Sequence, residues 1–415
     1  MFLLDRMLRR AIRTGTLTVI DHTGRRRVYG AADSAHRGVT IRLSDAATAW
    51  RIGLNPALGA GEAWTDGRLT VEDGDLLDLL DLIGYNMRWD RDNQTRTDLW
   101  KGQAFAAWLD QHNYARRARR NVAHHYDLSD RLYDLFLDAD RQYSCAYFTD
   151  PTNGLEEAQS DKKAHIAAKL ALAPGMRVLD IGCGWGGLAL YLNRVAGVDV
   201  TGVTLSEEQL RCARRRAAEA GVSDRVRFEL LDYRHVSGSF DRVVSVGMFE
   251  HVGVPYYRKF FDKIAELLTP DGVALLHTIG RADGPGATDS WTARYIFPGG
   301  YVPALSQMVP AIERSYLWIT DVEVLRLHYM HTLEHWYARV VAASREIEAL
   351  YDARFFRMWC FYLASAIIAF RHDGHVNFQI QLTRHRDALP ITRDYMAEAE
   401  ARYPQSAGVS GPVAG

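Results

Sequence analysis

The chain has 415 residues, 47% hydrophobic and 24% charged, which is ordinary for a globular protein and long enough for two domains with cores of their own. Its formal net charge of −1 excludes a global field that would draw it to a polyanion, so no nucleic-acid partner is expected. Four cysteines, at 145, 183, 212 and 360, make neither CxxC nor a zinc pattern, so no metal site or disulfide framework is expected and a reducing cytosol fits.

Residues 1 to about 85 read as a small α/β unit. The opening "MFLLDRMLRRAIR" sets Leu3, Leu4, Met7, Leu8 and Ile12 against Arg6, Arg9, Arg10 and Arg13. That is an amphipathic helix whose apolar stripe serves either the unit's own core or a lipid surface. Its apolar part is too short, and charged too soon, for a signal peptide. "LTVI" (17–20) and "VTIRL" (39–43) read as strands, "NPALGAGEAWTDG" (55–67) as a Gly-rich bend, and "VEDGDLLDLLDLI" (71–83) as an acidic-capped helix. Residues 86–120 are polar and Arg-rich and read as a helical linker. The basic runs at 25–27, 116–120 and 214–216, like that of the first helix, are each most simply solvated faces. Together in a neutral protein they favour a patch for anionic lipid or phosphate.

From 160 to 280 the pattern alternates strand and helix, within one catalytic domain expected over 121–395. "MRVLDIG", "VDVTGVTL", "RVRFELLD", "FDRVVSVG" and "VALLHTI" are strands. "WGGLALYLNRVA", "SEEQLRCARRRAAEAG" and "VPYYRKFFDKIAELL" are helices between them. Such alternation is a doubly wound, Rossmann-like parallel sheet. Segments 321–327 and 376–383 could finish the sheet, with helices over 329–350 and 355–370 as insertions or a lid. The longest apolar run, "WCFYLASAIIAF" (359–370), falls short of the ~20 residues of a spanning helix and reads as buried. The tail, 404–415, is Gly/Ser/Pro-rich and reads as disordered.

"LDIGCGWG" (179–186) follows a strand and opens a helix, so Gly182 and Gly184 let backbone approach a ligand. The second strand ends in "GVTLSEEQ", with Thr204, Leu205 and Gln209. The third ends in "LLDYR", where Asp232 suits an adenine amino group and Tyr233 stands beside it. The three turns point to S-adenosylmethionine (AdoMet) more than to a dinucleotide. Ser206 with Gln209 also reads as a capping box. "SVGMFEHVG" (245–253) and "LLHTIG" (275–280) end the next two strands, at the rim where such sheets bind ligands. A carboxylate and a histidine there can orient one small polar group, or form an ordinary buried pair. Spacing alone does not decide between Glu250 and His251.

"HYDLS…LYDLFLD…QYSCAYF", "LDIGCGWGG", "SVGMFEHVG", "LLHTIG", "YIFPGGYVP", "LHYMHTLEHWY" and "FQIQLTR" occur in the order of one family. Over about 120–390 the chain resembles the cyclopropane-fatty-acyl-phospholipid synthases and mycolic acid cyclopropane synthases, a class I methyltransferase fold with an N-terminal accessory domain. It departs from the usual pattern at Ser129-Asp130, where Gly-Asn is common. The resemblance implies a bicarbonate ion beside the reacting methyl, contacted by Glu250, His277, Tyr329 and the backbone N–H groups of Cys145 and Ile279. Cys145 then acts through its main chain. Tyr143 and Ser144 would touch AdoMet, and Phe148 would line the acyl channel.

The chemistry agrees. A cis alkene is a weak nucleophile and needs a sulfonium methyl; its attack leaves a carbocation that water must not reach. Tyr295, Phe297 and Tyr301 are candidates to stabilise that cation, or simply pack an apolar loop. The expected function is cyclopropanation of an unsaturated phospholipid acyl chain. A methylene- or methyl-branching route and a non-catalytic lipid-binding protein are the alternatives. The expected partners are phospholipid in a membrane and an anionic lipid surface, with a homodimer allowed; the expected place is the cytoplasm, peripheral on the inner face of the plasma membrane.

Overall fold

The structure, a computed structural model, describes residues 1–90 and 128–403. Most of the expected linker, the basic run 116–120, "HYD" of "HYDLS" and the tail 404–415 lie outside the described residues. The chain divides into two compact units. Among the described residues the first gathers 1–90, Gly280–Leu305 and Tyr329–Val376, and the second gathers 128–279, Ser306–His328 and 377–403. Two segments expected within a 121–395 domain thus cluster with the N-terminal one.

In the first unit, strands β1 (Gly15–Ile20), β2 (Arg26–Ala31), β3 (Val39–Leu43) and β4 (Leu69–Asp73) form a sheet ordered β2-β1-β3-β4. Helix α1 (Phe2–Ala11) buries Leu4, Leu8 and Ala11, followed by Ile12, in a core with Leu17, Val19, Ile41 and Leu43. Most of its apolar stripe therefore serves the unit itself, with Leu3 and Met7 half-buried and Arg6, Arg9, Arg10 and Arg13 exposed. Helix α2 spans Ala46–Leu54, capped by Asp45.

The expected Gly-rich bend is a helix, α3 (Pro56–Thr65), with Asn55 as cap and Pro56 in its first turn. Its glycines are there for approach: a Cβ on Gly59 would lie 2.6 Å from Ile52 N, and one on Gly61 would run into the Trp291 ring. The expected acidic-capped helix is shorter, because Val71 to Asp73 belong to β4. Helix α4 (Leu76–Asn86) begins at a reciprocal capping box of Asp75 and Asp78.

The second unit opens with α5 (Asp130–Phe136) and α6 (Leu155–Lys169). There follow β5 (Arg177–Ile181), α7 (Gly187–Ala196), β6 (Asp199–Thr204), α8 (Glu207–Glu219), β7 (Val226–Leu230), β8 (Phe240–Val246), α9 (Tyr257–Leu267) and β9 (Leu268–Arg281). Later in the chain come α10 (Ser290–Tyr295), α11 (Leu305–Arg314), β10 (Trp318–Leu325), α12 (His328–Ala342), α13 (Ser344–Leu350), α14 (Ala353–His372), β11 (His375–Thr383) and α15 (Asp394–Arg402). The seven-stranded sheet runs β10-β11-β9-β8-β5-β6-β7, with β7, β6, β5, β8 and β9 parallel and β10 antiparallel to β11. This is the doubly wound sheet expected. Val178, Val200, Val226, Val244 and Leu275 pack on Ile166, Leu188, Leu192, Leu210 and Ala213.

The apolar run expected to be a short buried helix lies in α14, whose 20 residues are long and apolar enough, by length and composition, to cross a membrane. Its Trp359, Cys360, Leu363, Ala364 and Ile367 are buried. Arg357 donates to Thr65 O, and Arg371 binds Asp81 and Glu334, so this helix is tied into the first unit.

Candidate active site

The turn between β5 and α7 carries Gly182 and Gly184 at φ +82° and +54°. A Cβ on Gly184 would meet nothing within 4 Å. The backbone there borders open space, as a cradle for a flat ligand requires. The Thr204 hydroxyl donates to Gln209 Oε1 (3.0 Å), and Ser206 Oγ accepts the Gln209 N–H (3.3 Å). Half of the capping box thus forms, while the Gln209 side chain turns to the end of β6. Leu205 is half-buried between them. Asp232 is gripped by Arg234 at 2.8 and 2.5 Å. Burial would raise its pKa, but this pairing holds it below the usual carboxylate range. Tyr233 lies edge-on to Phe260.

The residues that depart from the family pattern have local roles. Ser129 caps α5, and Asp130 accepts from Trp185 Nε1 (3.1 Å) and Arg141 Nη1 (2.9 Å), fixing the tryptophan of the glycine turn. The segment that follows is pinned from α6. Gln159 Nε2 donates to the carbonyls of Gln142 and Ser144, and Lys162 Nζ to Gln142 Oε1 (2.6 Å) and Ser144 Oγ (2.9 Å). Tyr143 packs edge-on against Tyr133 and Phe136. Cys145 is buried, and its thiol faces Ala146 O at 3.3 Å. Phe148 is buried, and its N–H donates to His328 Nδ1 (2.9 Å).

Glu250 lies in the short helical turn after β8 and is 8% exposed. Its Oε1 accepts the Ile279 N–H at 2.6 Å, and its Oε2 is buried with no hydrogen-bond partner among the described residues. Burial pushes its pKa up to about 7, although the Ile279 N–H favours the charge. The N–H of Ile279 expected at the ion is thus given to this carboxylate, which takes the nearest buried donor. His277 sits on the adjacent β9, paired in register with Val246. Its Nε2 meets the Asn377 amide and its Nδ1 the Gln379 amide, each at 3.1 Å. Burial, with Lys162 and Lys169 nearby, pushes it down to about 3, so the ring is neutral. A neutral imidazole has one donor and one acceptor, so one of these amides presents its oxygen. Both ring nitrogens are engaged; a direct contact to an ion requires one of these bonds to open. His251, the other candidate, is neutral too, pushed down to about 4 by burial.

The second unit therefore holds Tyr143, Ser144, Cys145, Phe148, Gly182, Gly184, Thr204, Leu205, Gln209, Asp232, Tyr233, Glu250, His277 and Ile279. Tyr295, Phe297, Tyr301 and Tyr329 belong to the first. Tyr329 is buried against Trp336 and Phe370. Tyr295 donates to Glu62 (2.8 Å) and has the Arg294 guanidinium over its ring, a face already serving a cation. Phe297 meets Tyr362 edge-on, and Tyr301 is buried.

Sequence reasoning passed over several groups. Asp180, at the end of β5, is 2% exposed, has Oδ2 without a partner among the described residues, and is pushed up to about 7 by burial. Lys162 is fully buried, in a helix whose "EEAQSDKKAH" reads as solvated. Asn377, Gln379 and Gln381 did carry a signal: three amides at period two on an otherwise apolar strand share one face, and all are buried.

The profile of the family described as Mycolic acid cyclopropane synthetase matches residues 113–380. The chain is 44% identical over 260 residues to the cyclopropane-fatty-acyl-phospholipid synthase of Escherichia coli K12, covering 63% of this chain and 66% of that one. It is 34% identical over 408 residues to the tuberculostearic acid methyltransferase UfaA1 of Mycobacterium tuberculosis, covering 93% and 91%. Among solved structures, mycolic acid cyclopropane synthase CmaA1 complexed with SAH and CTAB superposes at TM-score 0.61 with 34% identity, covering 64% of this chain and 97% of that one.

Proposed function

The chain belongs to the mycolic acid cyclopropane synthetase family and is an S-adenosylmethionine-dependent methyltransferase, and on that premise we propose that it methylates the cis double bond of an unsaturated phospholipid acyl chain and closes a cyclopropane ring. The observation that carries this reading is Glu250: a buried carboxyl with one oxygen held by Ile279 N–H and the other without a hydrogen-bond partner among the described residues. Bound AdoMet supplies an electrophilic methyl, and bound bicarbonate a basic oxygen for the proton that leaves the transferred methyl as the ring closes. The open backbone at Gly184 fits the first, and Glu250 Oε2, without a partner among the described residues, fits the second.

Each residue then has a task. Gly182, Gly184 and Gln209 border the cofactor, with Tyr143 and Ser144 at its methionine end. Poised near neutrality, Glu250 can give or take a proton at Oε2. His277, neutral and clamped by Asn377 and Gln379, is a fixed dipole rather than a charge. Cys145 contributes a small buried side chain and its main chain.

The same methyl transfer with proton loss from a neighbouring chain carbon gives a methylene-branched chain. The likeness to UfaA1 along 93% of this chain favours keeping that second reading. Labelled AdoMet with dioleoyl phospholipid vesicles decides. Cyclopropyl proton resonances in the labelled lipid are expected; vinylic methylene resonances would favour the second reading, and AdoMet binding without lipid product would refute both.

The substrate chain lies in a bilayer, so we also place the enzyme peripherally on the cytoplasmic face of the plasma membrane. The support lies in the first unit. Phe2 (81% exposed), Trp50 (57%) and Leu54 (62%) project beside Gly53, whose Cβ position is 3.1 Å from Leu3 and Leu4, and Arg6, Arg10 and Arg51 are exposed with them. Exposed aromatic and aliphatic side chains among arginines suit an anionic interface.

A further inference from the structure

One face of α6 follows the 142–149 segment residue by residue. The Tyr147 N–H donates to Ala158 O (3.0 Å), and Gln159 Nε2 binds the carbonyls of Gln142 and Ser144 (3.1 and 3.0 Å). Asp161 Oδ2 accepts the Thr149 hydroxyl (2.7 Å), and the His165 ring stacks on Tyr147 with centroids 4.0 Å apart. At the centre of this face is Lys162, with no exposed surface and its Nζ donating to Gln142 Oε1 and Ser144 Oγ. Gln142 is itself tied to Asp138 through its N–H and to Asp140 through Nε2.

Burial pushes the Lys162 amine down to about 7, so a polar group is costly to keep here, and a buried methionine or leucine would hold a helix–loop contact at lower cost. Lys162 instead fixes the orientation of two polar side chains, Gln142 and Ser144. Ser144 is the residue assigned above to the methionine end of AdoMet, and its Cβ lies 3.9 Å from the Cβ position of Gly247, just past the end of β8.

We propose that Lys162 is a positioning residue for AdoMet, acting through Ser144 Oγ and Gln142 Oε1 to hold the 142–145 segment in its binding conformation. The proposal rests on the assignment of Ser144 to the cofactor. Lys162 does not touch the transferred methyl and takes no part in the chemistry of the lipid.

The test is a double-substitution cycle read by calorimetry with SAH as probe, on the full chain, together with steady-state kinetics on lipid vesicles. Lys162→Met should weaken SAH binding about ten- to hundredfold, the range for hydrogen bonds to a charged group. Ser144→Ala should weaken it less, and the double variant should be no worse than Lys162→Met alone, because the two act as a unit. The KM for AdoMet should rise while turnover at saturating AdoMet stays within a fewfold of wild type. A loss of general packing would not give that split. Lys162→Gln, which keeps a donor, should recover part of the affinity.

Wild-type protein that fails to bind SAH would sink the functional reading itself. With wild-type binding intact, unchanged affinity in Lys162→Met overturns the positioning role. So do multiplied losses in the double variant, and so does an unaffected Ser144→Ala, which would also remove Ser144 from the cofactor. Should Lys162→Met not fold, Gln142→Leu takes its place: it removes the second acceptor, should weaken SAH binding, and overturns the proposal if it does not.

Discussion

Glu250 shows what the site costs the fold. Its carboxyl is raised from 4.5 to about 7, so between these values the folded state holds more protons than the unfolded one. Stability from this group is therefore complete below pH 4.5 and is lost as pH rises toward 7. Glu250→Gln removes that loss and should raise the melting temperature at pH 8, through a stabilisation on the order of 3 kcal/mol at most, with the gain fading toward pH 4. The same variant should lose at least about a hundredfold in turnover while binding AdoMet nearly normally. Cys145→Ser should be far milder; if it were as inactive, a role for the thiol would replace that of the main chain. Gly184→Val tests the cofactor turn: its side chain enters the open space beside the backbone, and at φ +54° a β-branched residue also strains the turn, so AdoMet affinity should fall sharply and thermal stability somewhat, with circular dichroism showing the fold retained. Equal affinity by calorimetry would refute the cradle.

Among the elements, the parallel strands and their helices were legible because mainly apolar runs alternate with helix-period segments, as in "MRVLDIG" and "SEEQLRCARRR"; α8 opens on a side-chain cap, Ser206, while α7 and α9 open without one. Strand β2 was not: Arg26 and Arg27 lie on an edge strand exposed along most of its length, with no alternation to read. Helix α3 was hidden because its glycines, which normally argue against a helix, are required by the close approach of α2 and Trp291. Gly61→Ala should therefore destabilise the protein by about 1–3 kcal/mol in thermal unfolding, although alanine is the better helix former. At the site, the glycine turn and the rim residues were legible from spacing. The polar face of α6 was not, since nothing in its composition separates a buried lysine from a solvated one. The C-terminal end of the same face of α6 carries His165, bonded to Glu323 (2.7 Å) and Glu400 (3.2 Å). Burial opposes its charge, but these carboxylates prevail and raise its pKa. Its contribution is present in full below the unfolded value near 6.5 and is lost as pH rises through the raised one. His165→Gln should accordingly lower the melting temperature most near pH 6, with the difference from wild type shrinking in alkaline buffer.

For the whole molecule, deleting residues 1–13 would not isolate a lipid anchor, because Leu4, Leu8 and Ile12 are core residues. Surface substitutions separate the roles. Trp50→Ala with Leu54→Ser should weaken sedimentation with anionic vesicles and activity on them, leave SAH affinity unchanged, and leave thermal unfolding within about 0.5 kcal/mol of wild type. Binding that ignores this pair, vesicle charge and salt alike would remove α2 from the membrane contact. The contact of Gly61 with Trp291 has a further consequence, in the order of synthesis. The first unit draws on residues up to Val376, roughly 290 positions beyond its N-terminal part. At about 5–20 residues per second, its first segment waits roughly 15–60 s on the ribosome before the last one exists. For roughly the first two thirds of that interval, until Trp291 is made, the small face of α3 has no tryptophan to cover it. The nascent N-terminal segment should be protease-sensitive until the C-terminal third emerges, and its sheet, though built first, should be among the last parts of the chain to become native.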